Sequence, residues 1–465
     1  MTIVHQAPNR AVDAAHLRSV DRYPVMGALF TLMVPIGAWI IFPDWRIGAI
    51  ILVAALWLVC GFSSASDSTS SYSACRLYLP IFMGYNSIGL FVTPHLDNRP
   101  LLIILLFASI LAFWVGWYLG YGRLQVSRVN VARPAISGPA NLLRGRAVSA
   151  IFLATLLLYS VLWFRAGALP VFAADPNLAR TEFYPSGYIA MFIVMGVHVS
   201  SFSGLVWLFM DRSKRLIGAA LWLSSTLLGL GTANRGIVFI PIVCSIVFIG
   251  ISKRLNFGRM VPWFVIGIVL FSVLGYSRSV RSHGQAAYTQ HLASLGYVGE
   301  SQYLAPIMKY LLATADTFDK TVDLVPHSVS YAYGAEFFSP LLLKQSVDLY
   351  LKSIMGETFK GYGLALGSMN AFYLDWGVVG VVLGPFALGL LASYIFRHVR
   401  YTGDLRWNAI YGYVLTLLLL SNYGHPFAYL YYMIEPVLLW LVFSKPQIMA
   451  VPYPASVGDK SFKEA

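Results

Sequence analysis

Residues 101–120 read LLIILLFASILAFWVGWYLG, twenty residues without a charged side chain. A helix of that length rises about 30 Å, which is the thickness of the hydrocarbon layer of a bilayer. The whole chain of 465 residues has the same character, since 58% of its residues are hydrophobic and 11% are charged. A soluble domain carries about 25% charged residues. The composition therefore excludes a soluble enzyme with a single anchor, and it predicts an all-α polytopic integral membrane protein.

Apolar runs of similar length recur from Pro24 to Phe443, and we predict about twelve transmembrane helices. Their approximate bounds are 24–42, 47–62, 77–92, 100–120, 147–164, 187–209, 216–231, 236–251, 260–276, 366–396, 407–423 and 427–443. The predicted organisation is a tail at 1–23, helices one to nine within 24–276, a large extracytoplasmic loop at 277–365, helices ten to twelve within 366–443, and a tail at 444–465.

The basic residues indicate which connecting segments of the predicted helices lie in the cytoplasm. If the N-terminus lies in the cytoplasm, 21 of the 33 Lys and Arg residues fall in cytoplasmic segments. The remaining 12 Lys and Arg residues fall on the extracytoplasmic side. Seven of them lie in the long loop, where charge has little effect on orientation. We therefore predict that both termini are cytoplasmic. The net charge of +13 reflects this scatter, and no basic patch indicates a nucleic-acid partner.

The loop 277–365 is too long to be a simple connector. Its first part predicts an amphipathic helix with an apolar face opposite Lys309, Asp316, Lys320 and Asp323. That apolar face consists of Leu304, Ile307, Leu311, Phe318, Val322 and Val325. A second amphipathic helix is predicted around 340–355. Helices of this kind lie in the headgroup plane or pack down on the bundle.

Four arginines are the main site candidates, because ionisable groups at the rim of a span are costly and tend to be functional. Arg235 lies in the tight turn TANRG at 232–236, and Arg180 lies in the external segment 165–186. Arg278 and Arg281 open the long loop three residues apart, so both can face one phosphate group. Simpler alternatives stay open, namely snorkelling to lipid headgroups and, for Arg180, a local ion pair.

The other candidates are acid–base and sugar-binding groups. Asp319, His327 and Glu336 are candidates for a base that accepts the proton of a sugar hydroxyl, and their spacing does not rank them. His425, between the last two spans, and Tyr333 are candidates for substrate contacts, although His and Tyr also populate interfacial positions. Within the predicted spans, we interpret Asp375 and Glu435 as structural groups that need partners, and His198 as a bundle histidine whose hydrogen bonds are satisfied.

The sequence indicates no metal ion and no other cofactor. The external face has no HxxxH pattern, no carboxylate triad and no DxD pattern. Cys60 and Cys244 fall in apolar runs and Cys75 in a short Ser-rich loop, so we expect neither a disulfide nor a thiolate site.

Arginines at the outer face, together with a large loop over a helical bundle, suit a lipid-linked and doubly charged anion. A guanidinium binds a diphosphate through two parallel hydrogen bonds, and the diphosphate becomes a good leaving group when its charge is neutralised. The lipid can lie between spans while the chemistry takes place above the membrane. No nucleotide is needed, because the lipid diphosphate carries the activation.

The chain resembles the O-antigen polymerase family, the Wzy-type polymerases of oligosaccharide repeat units. The matching segments are GALPVF at 167–172, ARTEF at 179–183, TANRG at 232–236, AYGAE at 332–336 and GSMNAFYLDWGVVG at 367–380. With the arginines after span nine, they cover roughly residues 165–395, about half of the chain.

This resemblance implies a metal-independent glycosyltransferase on the outer face of the bacterial inner membrane. Such an enzyme moves a growing glycan from one undecaprenyl diphosphate to the non-reducing end of another lipid-linked unit, in O-antigen, capsule or exopolysaccharide synthesis. Carried over to this sequence, Arg180, Arg235, Arg278 and Arg281 hold the diphosphates. The implied partners are the lipid-linked glycan, membrane lipid, a chain-length regulator and a flippase.

Three other functions are weighed against this one. An O-antigen ligase shares the architecture and passes the glycan to lipid A core, and the histidines of the long loop lack a convincing motif for it. A polyprenyl-phosphate sugar transferase would need an acidic pair in the first external loop, which offers only Asp44. An exporter of lipid-linked sugar would show symmetric halves and charges along a transbilayer path, whereas the charges here cluster at one face.

Overall fold

The structure is a computed structural model that describes residues 72–93, 95–122, 142–184, 187–253, 255, 267, 273–282, 284–294, 305–335, 367–402 and 404–443. Within these ranges the backbone forms α-helices joined by turns and short 3₁₀ segments. No strand occurs in them beyond one isolated bridge between Leu143 and Phe443. The predicted all-α class is therefore confirmed.

The helices are numbered in chain order. They are α1 (Ala74–Val92), α2 (Arg99–Gly122), α3 (Gly145–Ala166), α4 (Pro176–Phe183), α5 (Gly187–Met210), α6 (Arg215–Gly231), α7 (Arg235–Ser252), α8 (Gln285–Ser294), α9 (Ala305–Leu324), α10 (Ser368–Thr402), α11 (Leu405–Leu420) and α12 (Leu430–Val442). Residues 273–282 form a further helical segment, and Pro170–Phe172 form a 3₁₀ turn. Each predicted span within the described ranges coincides with a helix, while the first two spans and most of the ninth lie outside them.

Four of these helices are long and apolar enough to cross a membrane, and three shorter apolar helices accompany them. The long ones are Arg99–Tyr121, Gly145–Ala166, Gly187–Met210 and Ser368–Arg400, and the shorter ones are Gly236–Ser252, Leu405–Leu420 and Leu430–Val442. This set indicates a membrane protein. It falls short of about twelve spans in the described part of the chain, so that number stays a prediction.

The tenth predicted span is not one continuous helix. Trp376 (φ −143°, ψ 19°) and Gly377 (φ 60°, ψ −141°) interrupt the helical backbone of α10. A helix that breaks leaves carbonyl groups without an intrahelical partner. Two neighbouring amides use them, since Ala332 N donates to Leu374 O and Tyr333 N donates to Asp375 O, both at 2.9 Å.

Helices α2 and α10 pack backbone to backbone. Gly116 and Gly120 of α2 have the small-xxx-small spacing that lets membrane helices approach closely. Ser109 Oγ donates to Val381 O at 3.2 Å, a Cβ at Gly116 would lie 2.1 Å from Phe386 O, and one at Gly120 would lie 3.0 Å from Leu390 O. The two helices therefore run side by side in the same direction. The predicted topology gives spans four and ten this same relative direction.

Contacts between connecting segments sort them into two ends of the bundle. At one end, which we call the arginine end, Arg278 contacts Ala233, and the amides of residues 97–98 contact Asp319. The segments in these contacts are predicted on the same side of the membrane.

At the opposite end, Arg144 N donates to Val442 O at 2.7 Å, and Lys253 Nζ donates to Phe209 O at 2.7 Å. These segments are likewise predicted together, on the cytoplasmic side. The assignment of this end to the cytoplasm stays a prediction.

Helix α9 is the first amphipathic helix of the long loop, and it packs down on the bundle beside α1. Leu311, Phe318 and Val322 of its predicted apolar face are buried. The prediction was wrong for Lys309, which is only 6% exposed. Its ammonium group lies 5.7 Å and 5.9 Å from the ring centroids of Tyr288 and Tyr310, and such cation–π contacts offset part of the lost hydration. The second predicted helix, around 340–355, lies outside the described residues.

Candidate functional site

The segments that carry the candidate arginines meet at the arginine end. Arg278 Nη1 donates to Ala233 O at 3.3 Å. Arg281 donates from Nη1 to Val171 O and from Nη2 to Ala173 O, both at 2.7 Å. Because residues three apart share a helical face, the segment 273–282 ties together the turn before α7 and the 3₁₀ turn before α4.

The turn between α6 and α7, residues 232–234, is built by local hydrogen bonds. Thr232 Oγ1 donates to Gly229 O at 2.7 Å and accepts from Asn234 N at 3.2 Å. Asn234 Oδ1 then accepts from Gly236 N at 3.1 Å and caps α7. Ala233 has φ 55°, a left-handed backbone conformation that glycine adopts more readily than alanine. The turn therefore holds the Ala233 carbonyl in an orientation that is unfavourable for this residue. Arg235 is the first residue of α7, and its side chain lies outside the described part.

Arg180 approaches the same turn from α4. It lies in the last turn of that helix, half-buried, four residues before Tyr184. Burial raises the pKa of Tyr184 to about 12, and the nearby Thr232 side chain and Arg180 charge both oppose that rise. The Tyr184 hydroxyl thus lies beside Thr232 and within the field of Arg180. Arg180 and Arg278 are therefore brought to one turn by segments far apart in the sequence, and Arg235 directly follows that turn in the chain.

A small hydrophobic cluster lies beneath this turn and fixes its position. It is formed by Tyr159, Leu162, Phe183, Ile193, Val194, Val197 and Ile237. The Tyr159 hydroxyl reaches the last residue of α6, because a Cβ at Gly231 would lie 2.2 Å from it. Only glycine fits there without a shift. The same hydroxyl is buried and has no hydrogen-bond partner among the described residues.

A buried group that sequence reasoning left as isolated residues lies deeper in the bundle. His198 of α5 and Glu435 of α12 are paired, with 2.9 Å between Nδ1 and Oε2, and they are 1% and 2% exposed. Tyr413 of α11 donates its hydroxyl to the same Oε2 at 2.8 Å. The ring of Tyr432 stacks on the imidazole, 6.5 Å between centroids and 12° between planes. The sequence predicts that Glu435 needs a partner and that His198 is a satisfied histidine of the bundle, and the structure makes them partners of each other.

The candidate base Asp319 belongs to a different group. Its Oδ2 and Oδ1 accept the backbone amides of Asp97 and Asn98 at 3.0 Å and 2.9 Å. Burial raises the pKa of this carboxyl, against the effect of those two amides. Asp97, Asp319 and Asp323 offer carboxylate oxygens within 4.8 Å of one another, and we call them the carboxylate cluster. Sequence reasoning found no such triad because Asp97 lies 222 residues from Asp319.

The remaining candidates are spread along the arginine end. His327 is exposed in the turn after α9, and Tyr333 is 75% exposed beside the break in α10. Glu336 lies outside the described residues. The backbone amide of Tyr333 donates to Asp375 O, which connects this residue to α10.

His425 is buried instead of lying open at the mouth of the bundle. It is 6% exposed, and its Nδ1 lies 3.4 Å from Ser368 Oγ. Its ring packs against Phe372 and Phe427. Burial lowers the pKa of this imidazole to about 3, so it is neutral at physiological pH. A substrate contact by His425 would need this packing to open.

No family model matches the chain, and the comparisons with curated proteins and with solved structures found no match either. The function is therefore inferred from the residues and their arrangement.

Proposed function

We propose that this protein polymerises oligosaccharide units linked to undecaprenyl diphosphate at the periplasmic face of the bacterial inner membrane. The polymer is an O-antigen, a capsule or an exopolysaccharide. The observation that carries the proposal is the meeting of Arg180, Arg278 and the start of α7, where Arg235 lies, at one turn on one end of an apolar helical bundle.

The proposed reaction needs no metal. The C1–O bond between the donor glycan and its lipid diphosphate breaks while the acceptor hydroxyl oxygen forms a new bond to C1. The diphosphate leaves with the bonding electron pair, and guanidinium groups neutralise the charge that develops on it. Arg281 has a different share in this proposal. Both of its Nη atoms donate to backbone carbonyls, so it positions the 3₁₀ turn before α4, and the N–H groups beyond these two bonds can contact the diphosphate.

This function sets the orientation of the bundle. The arginine end then faces the periplasm, both termini are cytoplasmic, and membrane lipid surrounds the apolar helices. A flippase would deliver the lipid-linked unit, and a chain-length regulator would act on the growing polymer.

The test uses full-length protein in lipid nanodiscs, incubated with EDTA and with the lipid-linked oligosaccharides of cells that lack this protein. We expect a ladder of longer lipid-linked glycans. Transfer of a single glycan to added lipid A core would instead indicate a ligase. Movement of the lipid-linked unit across proteoliposome membranes, with no new glycosidic bond, would indicate an exporter.

A further inference from the structure

Nδ1 of His198 lies 2.9 Å from Oε2 of Glu435, which also accepts the hydroxyl of Tyr413. When Oε2 accepts a hydrogen bond from the imidazole as well, the imidazole proton is on Nδ1. The other nitrogen, Nε2, then holds a lone pair. It is buried and has no hydrogen-bond partner among the described residues. Buried polar atoms are nearly always bonded, so each one left over requires an explanation.

The pair lies beneath the arginines. Val197, the residue before His198, lies 3.5 Å from where a Cβ of Gly229 would be, and Gly229 is one helical turn below Thr232. At 1.5 Å per residue, the imidazole is therefore about 5–9 Å below the turn that Arg278 contacts. The unpartnered hydroxyl of Tyr159 lies between these levels, at Gly231. Two buried polar atoms without partners among the described residues thus lie below the proposed diphosphate site. An acceptor hydroxyl reaches Nε2 when the side chains packed around the imidazole, the ring of Tyr432 among them, move aside.

We propose that His198 is the general base of the glycosyl transfer and that its Nε2 accepts the proton of the acceptor hydroxyl. This inference rests on the proposed function. As the acceptor oxygen bonds to C1 and the C1–O bond to the diphosphate breaks, the hydroxyl proton moves to Nε2. His198 becomes an imidazolium, which the carboxylate of Glu435 stabilises, and it later returns the proton to the departing diphosphate or to water. A carboxylate that orients a histidine in this way is the usual support of a histidine base.

The other candidate bases are less suited to this step. Both oxygens of Asp319 already accept backbone amides. Nδ1 of His425 lies 3.4 Å from the hydroxyl of Ser368, which stabilises an imidazolium less than a carboxylate does, and burial lowers the pKa of this imidazole. Among the described residues, the contact between His198 and Glu435 supplies the histidine–carboxylate hydrogen bond that this chemistry needs.

The test compares His198→Asn, Glu435→Gln and Tyr411→Phe in nanodiscs. Asparagine keeps an N–H group for Glu435 but lacks Nε2, and glutamine keeps an oxygen for His198 but lacks the charge. Tyr411 is the matched control, because it lies in α11 like Tyr413, is equally buried, and donates a 2.8 Å bond to Tyr72 O instead of to Glu435. Three quantities are measured on monodisperse protein: turnover of the lipid-linked unit, affinity for undecaprenyl diphosphate, and unfolding temperature.

We expect turnover to fall about 100-fold or more in His198→Asn and about 10-fold in Glu435→Gln, with unchanged affinity for undecaprenyl diphosphate. Tyr411→Phe should keep at least half of the wild-type rate. The inference is overturned if His198→Asn also keeps half of that rate, or if its loss only follows the loss of folded protein. If wild-type protein itself forms no polymer, the proposed function fails, and the role of His198 fails with it. If the wild type polymerises and the variants do too, only the base is wrong.

Discussion

Two regions at the arginine end are held together in the same way, but their charged groups differ in exposure to solvent. In both, a charged side chain bonds the backbone of a distant loop: Arg281 donates to Val171 and Ala173, and Asp319 accepts from Asp97 and Asn98. Arg281 is exposed, whereas Asp319 is 4% exposed. A guanidinium has five N–H groups, so two bonds do not exhaust it, whereas both oxygens of the carboxylate are engaged.

The difference separates a surface that can bind an anion from a buried contact that fixes one segment onto another. Positive groups that remain at the surface after tying loops together can still meet an anion. A buried carboxylate that accepts two amides mainly fixes the α1–α2 connection onto α9. We therefore interpret the arginine-bearing segments as the site and the carboxylate cluster as its support, and the following experiments test that division.

The largest effect is expected for Arg278→Ala and Arg235→Ala. Loss of one charge-stabilising donor at a leaving group typically lowers the rate 100-fold or more, about 3 kcal/mol of transition-state stabilisation. Lysine at position 278 should restore part of the rate, because it supplies charge without the two-pronged geometry. Polymer ladders on a lipopolysaccharide gel, at equal protein level, measure the outcome.

Arg281→Ala and Arg146→Ala complete this comparison. Arg281→Ala should lower turnover about 10-fold, through a less ordered 3₁₀ turn, and its effect should be smaller than that of Arg278→Ala. Arg146 is an exposed arginine of α3 at the opposite end, so alanine there should leave the ladders unchanged. Normal ladders from both Arg235→Ala and Arg278→Ala would remove the diphosphate site.

The next effect is on stability and concerns Asp319. Alanine there leaves two backbone amides without their acceptor, which should cost about 1–3 kcal/mol and lower the unfolding temperature of the detergent-solubilised protein. Asp316 on the same helix is the control. Its carboxylate pairs with exposed Lys320 at 2.7 Å, a contact worth at most about 0.5 kcal/mol, so Asp316→Ala should change little.

Asp319 also predicts a pH dependence. Because its pKa is raised in the folded protein, folding favours the protonated carboxyl. That contribution is fully present below the usual pKa of aspartate and is lost as the pH rises through the folded value. Unfolding temperatures of wild type and Asp319→Asn should therefore diverge as the pH rises, with the wild type losing relative stability. Parallel curves would show that folding does not raise the pKa of Asp319.

Some features of the helices and of the candidate site could be predicted from the sequence, and others could not. Apolar periodicity located the described spans, and the rarity of charge in them selected Glu435 as a residue that needs a partner. Periodicity tells which residues share a helical face but not which helix that face meets. The bond between His198 and Glu435, 237 residues apart, and the burial of Lys309 between tyrosine rings were therefore not predicted. The break at Trp376 and Gly377 was missed for a related reason, because the apolar pattern continues through it.

A smaller effect is expected at the floor of the arginine-bearing turn. Gly231→Ala places a methyl group against the Tyr159 hydroxyl, and relief of that overlap should cost about 1–3 kcal/mol. The double variant Gly231→Ala, Tyr159→Phe removes the hydroxyl and should recover most of the loss. Gly236→Ala is the control, since its nearest neighbour would be 3.3 Å away. Equal losses in the single and double variants would mean that Tyr159 does not limit this position.

The smallest effect should come from Ala233→Gly, and it should have the opposite sign from an ordinary alanine-to-glycine change. Ala233 has positive φ, which costs an alanine about 1–2 kcal/mol, whereas the added freedom of glycine in the unfolded chain costs about 0.4–1 kcal/mol. Stability should therefore stay equal or rise by about 1 kcal/mol. Ala220→Gly, at an exposed position within α6, should lower stability by about 1 kcal/mol. If both variants lose stability equally, the turn is not held in the strained conformation that presents the Ala233 carbonyl to Arg278, and the arginine-bearing segments lose one of the bonds that unite them.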